Sequence, residues 1–485
     1  MQKQFDLLYI NGEWRKGNSE ETFDNINPYT GETLLTIQGA NEEDLDEAYQ
    51  AAARAQKEWA EQPPQVKREL IEKAIQIIEQ EKELFIEWLI KEAGSTYRKA
   101  VGEITTAVNF MKEAASYPNR MKGEVFLSHV PGKVNKVYQE PLGVVGVISP
   151  WNFPLHLTMR SVAAALATGN GVVIKPSKDT TVTAGSLVAA VFEEAGAPKG
   201  LINLVSGKSS EIGDSFVKHP IPRMISFTGS TGVGKHIASL AAGELKSTAL
   251  ELGGNNVLIV MEDANIDAAV ESAVYGKFYH QGQVCIALNR ILVQSSVAEE
   301  FTSKFVEKVK DLRYGDPEDK NTQVGPIINE QQVDSIKEQL QRAIDAGANV
   351  LTGGNFQGNV LEPTVVNQVD NQSPLAAEEI FGPIAPIITF ETEDEAVEMA
   401  NEHPFGLSGA VHSTVGHGEL IAKRIETGMI HVNDQSINDE PQAPFGGVKQ
   451  SGLGRFNGKW ALEEFTETKW IGVQNERTDY DSFLK

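Results

Sequence analysis

One cysteine occurs in the whole chain, Cys285, in the stretch "HQGQVCIALNR" (280–290). A free thiol packed in a core is only a small hydrophobe. In a loop beside a base it becomes a nucleophile. Two other stretches carry groups that such a nucleophile would need. "STALELGGNN" sets Glu251 between apolar residues and two glycines. A carboxyl in apolar surroundings has a raised pKa and can take a proton near neutrality; by itself it reads equally well as the partner of a buried cation. "ISPWNFPLHL" holds Asn152 between Pro150 and Pro154. The prolines stiffen the backbone around an amide that can donate to an oxygen gaining negative charge. A lone asparagine there also serves to satisfy turn backbone.

Two further stretches could hold a ligand. "MISFTGSTGVGKHIASLA" (224–241) reads as strand, glycine turn and helix. Free N–H groups at such a helix start favour a phosphate, although the spacing is not G-x-G-x-x-G. "GVVIKPSKDT" ends a strand on Lys175, the end at which doubly wound sheets bind ligands. The nine histidines show no H-E-x-x-H or other ligand spacing, and His403, His412 and His417 read as surface residues. No metal site is expected.

The elements that must position these groups alternate. "NEEDLDEAYQAAARAQKEWA" reads as a helix capped by Asn41, with Leu45, Ala48, Tyr49, Ala52 and Trp59 near one face. "VKRELIEKAIQIIEQEKELFIEWLIKEAG" reads as a second helix that stops at Gly94. From 140 onward, short β-branched runs ("GVVGVI", "GVVIK", "LINLV", "MISFT", "VLIVM") alternate with helical stretches such as Thr181–Ala195. That pattern predicts a parallel sheet covered on both faces, and a second α/β series follows Cys285. The segment 121–141 reads as a hairpin turning at Pro131–Gly132. The tail "FTETKWIGVQNERTDYDSFLK" carries a strand and then turns polar. Such appendages pair across subunits in many oligomers; from pattern alone they read equally well as a surface hairpin and a frayed tail.

The chain has 485 residues, enough for more than one domain. Its formal net charge of -24 disfavours nucleic acid, which needs a concentrated basic face. The N-terminal "MQKQFDLLYINGEW" lacks a secretory pattern, and no apolar run reaches the length of a membrane span. One cysteine excludes an intrachain disulfide and fits a reducing compartment, so a cytoplasmic location is expected.

In order along the chain, "INPYTGE" (26–32), "SPWNFP", "KPS", "FTGSTGVG", "LELGG", "GQVC", "EEIFGP", "PFGGVKQSGLGR" and "FTETK" (465–469) resemble the aldehyde dehydrogenase superfamily. "PWNFPLHLTMRSVAAALATGN" is most similar to the benzaldehyde and vanillin dehydrogenase branch. The resemblance implies an α/β fold with two Rossmann-like parallel-sheet domains, a small oligomerisation hairpin and a C-terminal strand. It divides the chain into an NAD(P)-binding domain (1–120 and 140–250), a catalytic domain (251–450) and oligomerisation segments (121–139 and 466–485). It implies NAD(P)-dependent oxidation of an aldehyde to the acid through a thioester on Cys285. Asn152 and the Cys285 N–H would hold the oxyanion, and Glu251 would activate the hydrolytic water. Cofactor contacts would come from Ile148, Trp151, Lys175, Ser177, Lys178, Gly229, Ser230, Val233, Leu252, Gln332, Glu379 and Phe381. The substrate funnel would be lined by Phe153, Leu157, Arg160, Val284, Ile286, Phe445 and Phe456. The expected partners are a small-molecule aldehyde and copies of this chain, as a homodimer or homotetramer, with neither nucleic acid nor membrane.

Two departures from the family pattern stand out. Many NAD-preferring relatives have glutamate where this chain has Lys178, so acceptance of NADP as well as NAD is expected. Many relatives have a second glutamate directly after the arginine of "SGLGR"; here that residue is Phe456. The apolar funnel suits an aromatic or long aliphatic aldehyde. Arg160, if it faces the funnel, would instead bind the carboxylate of a semialdehyde. Three rivals remain: a CoA-acylating relative, a non-catalytic dehydrogenase-like binding protein and a cysteine hydrolase. Retention of Glu251, which favours water as the acyl acceptor, disfavours the first, and retention of both Cys285 and Glu251 disfavours the second. The absence of a cysteine–histidine signature disfavours the third.

Overall fold

The computed structural model describes residues 4–478 and 480. Two large sheets organise it. In the first, five parallel strands run in the spatial order Ile202–Leu204, Gly171–Lys175, Val144–Ile148, Met224–Thr228 and Ser247–Glu251. From Val144–Ile148 the chain first builds outward on one side and then crosses to the other, so the order reverses beside Met224–Thr228. The carboxyl ends of these two strands therefore diverge and leave a crevice, the usual ligand position in open α/β sheets. The three central strands are buried on both faces, as their apolar composition requires.

The first sheet is parallel across these five strands, as expected, and carries antiparallel additions at its edges. Leu8–Ile10 joins antiparallel on one side and Gly452–Leu453 on the other. Glu13–Arg15 pairs antiparallel outside Leu8–Ile10, and these added strands are only two or three residues long, too short to show periodicity. The second sheet runs Asn349–Thr352, Thr364–Asn367, Ile384–Phe390, Leu288–Gln294, Asn256–Val260, Gly409–His412 and His431–Val432. Only its first pair is antiparallel.

The first expected helix forms as Glu42–Ala60, with Asn41 and Asp44 in a reciprocal capping box. The second is two helices rather than one, Pro64–Gln80 and Lys82–Ala93, broken at Glu81 (φ -96°, ψ 17°). The break falls between two apolar stripes, Leu70–Ile78 and Phe85–Ile90, both buried in one core. No glycine or proline marks it, so periodicity alone runs straight through. Gly94 ends the second piece in the left-handed conformation, as the pattern required.

The hairpin pairs Gly123–Leu127 with Lys133–Pro141, turning where Gly132 takes φ 73°. The tail strand Thr466–Gln474 adds antiparallel to the same hairpin. The remainder of that tail at 479 and 481–485 lies outside the described residues. Among the described residues, no helix is long and apolar enough to cross a membrane.

Candidate active site

Cys285 sits in a loop between the helix Ile266–Phe278 and the second sheet's strand Leu288–Gln294. The approach to it is unusual: His280, Gln281 and Gly282 are all left-handed (φ 49°, 57° and 72°). Two non-glycine residues in that region store strain that the surroundings must hold. Gln281 Nε2 supplies part of the hold, donating to the carbonyls of Gly94 (3.2 Å) and Pro326 (2.9 Å). Gly282 must be glycine, because a Cβ there would lie 2.4 Å from the Gly382 carbonyl. That one contact ties "GQVC" to "EEIFGP". Beyond the thiol, Asn256 Nδ2 donates to the carbonyls of both Cys285 and Ala287, each at 2.8 Å.

Glu251 ends the strand Ser247–Glu251 and is buried, yet neither carboxyl oxygen has a hydrogen-bond partner within the described residues. Burial pushes its pKa up to about 8, with Arg160 pulling it down and Asp439 pushing it up. Burial likewise drives the Cys285 thiol up to about 12, and the Glu251 charge adds to the rise. The two groups compete for ionisation, and Glu251 gives up its proton first. Asn152 follows the strand Val144–Ile148. Its side-chain Oδ1 accepts from Phe153 N (3.0 Å), and its Nδ2 donates to the Gln283 carbonyl (3.0 Å), two residues before the thiol.

These three side chains line one cavity of about 230 Å³ together with Trp151, Gly229, Ser230, Leu252, Gln332, Glu379 and Phe381. The crevice between the diverging strands thus opens onto Cys285. The sequence expectations missed Ser335 and Ile380, which also line it, and Gly253, where a Cβ would lie 2.4 Å from Glu379 Oε2. The doubled glycine after Glu251 is the signal for that close approach. Glu379 Oε1 accepts from Gly254 N (3.1 Å), and Trp151 packs edge-on against Phe381 (5.4 Å). Buried Lys277, whose pKa burial lowers to about 7, lies on the far side of Glu379 in a small adjoining cavity.

The remaining expected cofactor residues lie along the first sheet's carboxyl edge, outside that cavity. Ile148 and Lys175 end neighbouring strands, and Lys175 Nζ donates to Ser209 Oγ (3.1 Å). Ser177 caps a short turn that begins with exposed Lys178. The helix Thr231–Gly243 starts at Ser230, whose side chain does not cap it, and Val233 on its first turn is exposed. An uncapped thirteen-residue helix start, beside glycines that admit close approach, fits a dinucleotide's phosphates.

Leu157, Val284, Ile286, Phe445 and Phe456 are buried, with Phe153 half-buried; all but Leu157 share one core cluster with Cys285. Phe445 and Phe456 form a paired bridge, exchanging backbone hydrogen bonds of 3.1 and 2.9 Å. The Arg160 guanidinium lies over both rings, at 4.6 and 4.4 Å, and 3.4 Å from Asp439. His403 and His412 correct the surface reading: both are buried, and His412 Nε2 meets the Asp434 carbonyl at 3.2 Å. Their scattered positions in sequence hid the burial. No group of histidine, cysteine and carboxylate side chains that could hold a metal ion occurs among the described residues.

Residues 14–471 match the model of the aldehyde dehydrogenase family. The chain belongs to this family. It is 50% identical to a benzaldehyde dehydrogenase of Bacillus subtilis over 99% of both chains. It is 49% identical to a vanillin dehydrogenase of Corynebacterium glutamicum, covering 96% of this chain and 97% of that one. The crystal structure of an NAD-dependent benzaldehyde dehydrogenase from Corynebacterium glutamicum superposes with a TM-score of 0.90 at 46% identity, covering 97% and 99% of the two chains. The membership bears out the fold class and the dehydrogenase assignment read from the ordered motifs.

Proposed function

We propose that this chain oxidises an aromatic aldehyde to its carboxylic acid with NAD, through a thioester on Cys285. One observation carries the reading: a thiol, an unpartnered carboxyl and an amide line one cavity with the glycine turn and Glu379. Cys285 Sγ attacks the carbonyl carbon, and its proton passes to Glu251 or to water. The Asn152 amide and the Cys285 N–H stabilise the oxygen as it gains charge. Bound NAD supplies the acceptor for the hydride that the tetrahedral centre loses. Glu251 then takes a proton from the water that cleaves the thioester, which releases the acid and restores the thiol. Phe456 has no proton to relay, so that duty stays with Glu251 and water.

The names of the similar enzymes support an aromatic substrate, as does the apolar wall of Phe153, Leu157, Val284, Ile286, Phe445 and Phe456. Arg160 argues against a semialdehyde. Its guanidinium is sandwiched between two rings, and the nearby Asp439 carboxylate would repel a second one. With NAD, kcat/KM for benzaldehyde is expected to exceed that for succinic semialdehyde by more than about tenfold. A clear advantage for the semialdehyde would reject the aromatic reading.

Lys178 is exposed at the adenosine end and offers a cation where a carboxylate would repel a 2′-phosphate. NADP is therefore expected to support turnover alongside NAD. Lys178→Glu should raise the NAD preference by about tenfold or more. An unchanged ratio in the variant, or a wild-type NAD preference of many thousandfold, would remove Lys178 from cofactor selection.

The two large sheets and the separate three-stranded sheet support a division into a cofactor domain (1–120 and 140–250), a catalytic domain (251–450) and oligomerisation segments (121–139 and 466–485), although Glu251 and Gly452–Leu453 pair within the first sheet. That third sheet exposes Val125 (70%), Leu127 (86%) and Trp470 (64%), an apolar surface suited to a second copy of the chain. A homodimer or homotetramer is expected. Leu127→Lys combined with Trp470→Glu should lower the mass seen by light scattering, and an unaltered mass would place the interface elsewhere. A reducing cytoplasm suits an enzyme whose nucleophile is an unpaired thiol.

A further inference from the structure

The helix Tyr97–Ala114 buries a lysine and a glutamate one turn apart, Lys99 and Glu103, both with side chains at 0% exposure. Lys99 Nζ donates to Glu103 Oε2, to Ser95 Oγ (3.0 Å) and to the main-chain carbonyl of Asn152 (2.7 Å). All three of its donors are thereby used. Glu103 Oε1 accepts from the N–H groups of Leu155 (2.9 Å) and His156 (3.2 Å), in the first turn of the helix Pro154–Ala167. Together the pair grips the chain on both sides of one peptide segment, by the carbonyl of Asn152 and by the amides that follow Pro154. The Lys99 ammonium also lies over the Phe153 ring, 4.3 Å from its centroid.

The gripped residue is the one whose amide reaches across to the Gln283 carbonyl, at the threshold of the Cys285 loop. A buried ion pair is weak evidence for stability, because apolar side chains of equal volume commonly do as well. What apolar side chains cannot supply is a simultaneous donor to one carbonyl and acceptor for two amides. We propose that Lys99 and Glu103 are a positioning pair that holds the Asn152 amide in register with the Cys285 loop for the developing oxyanion. The proposal rests on the reading of Asn152 as an oxyanion donor. Neither residue touches the reacting atoms; both act through Asn152.

The test is a double-mutant cycle in the full-length enzyme, with benzaldehyde and NAD. Lys99→Met combined with Glu103→Gln keeps the volume and removes both charges, so no lone buried ion remains. Asn152→Ala alone should lower kcat by about 10²–10³-fold. The pair variant should lower kcat by about tenfold to a hundredfold, as small displacements of catalytic groups do. Its KM for aldehyde and its dissociation constant for NAD should stay within about twofold of the native values. On the Asn152→Ala background the pair variant should cost no more than about threefold further, because the group it positions is already gone.

A pair variant with native kcat, or a triple variant that loses the full product of the two effects, overturns the proposal and leaves the Asn152 reading standing. Native kcat in Asn152→Ala alone removes that reading and the pair's role with it. If the pair variant does not fold, Ser95→Ala, which removes one acceptor that orients Lys99, replaces it in the same cycle. Its smaller kcat loss should vanish on the Asn152→Ala background, and an equal loss in both backgrounds overturns the proposal.

Discussion

Cys285→Ala is expected to abolish aldehyde oxidation, with kcat falling by about 10⁴-fold or more. NAD binding, read by fluorescence quenching, should be nearly unchanged. No other thiol exists in the chain to take over. The loop that carries Cys285 is anchored through Asn256 and through the Gly282–Gly382 contact, neither of which involves the sulfur, so the alanine variant should keep the native loop. Cys285→Ser is the sharper comparison. It retains a nucleophilic oxygen of similar size, but one that ionises far less readily, and it should be nearly as inactive. The same physics gives a measurable signature in the native enzyme. Burial and the neighbouring carboxylate raise the thiol to about 12, so alkylation by iodoacetamide without cofactor should be slow at neutral pH and should quicken with rising pH. Native turnover in the serine variant would end the proposed chemistry.

The parts of the site that sequence could reach lie where strands meet loops: Asn152, Gly229 and Glu251 at carboxyl ends, and Cys285 just before an amino end. Cys285, Glu251, Asn152 and Gly229 each flank a short β-branched run, and the chemistry needs residues where a run stops and the backbone turns. Glycine pairs mark those turns because the backbone must approach another chain segment closely, as Gly253 does to Glu379. The same logic failed where the determining contact is distant. Lys99 and Glu103 look like an ordinary pair one turn apart on an amphipathic helix. Their importance comes from Asn152 and Leu155, about fifty residues on, and no local pattern encodes that meeting. Arg160 reads two ways in sequence for a similar reason. Its neighbours Asp439, Phe445 and Phe456 arrive from nearly three hundred residues away, and they decide that the guanidinium is stacked and paired. His412 is buried although it reads as exposed in sequence, because one histidine at the end of a short strand has no periodic signature. The broken helix at Glu81 shows the converse limit: both halves obey the helical period, and only the shape of the shared core requires the bend.

Glu251→Gln carries the second large expected effect, and it separates the two halves of the reaction. Losing a general base costs about 10²–10⁴ in rate. If that base serves thioester hydrolysis, steady-state kcat falls by this amount, while the first turnover still yields NADH stoichiometric with Cys285. The enzyme should then stall as an acyl adduct visible by mass spectrometry. The pH dependence follows from the site's geometry. Both carboxyl oxygens are buried without hydrogen-bond partners among the described residues, which disfavours the ionised form and raises the pKa to about 8. Below that value Glu251 is mostly protonated and cannot accept a proton from water. Hydrolysis in the native enzyme should therefore rise with pH through about 8 and then level off. In Glu251→Gln the inflection near 8 should disappear along with the rate. Arg160 stabilises the ionised carboxylate, so Arg160→Met should move the native inflection to higher pH, a change that loss of packing against Phe445 and Phe456 would not by itself produce. An inflection that persists in Glu251→Gln would assign the base to another group, and native kcat in that variant would exclude Glu251 from the rate-limiting proton transfer altogether.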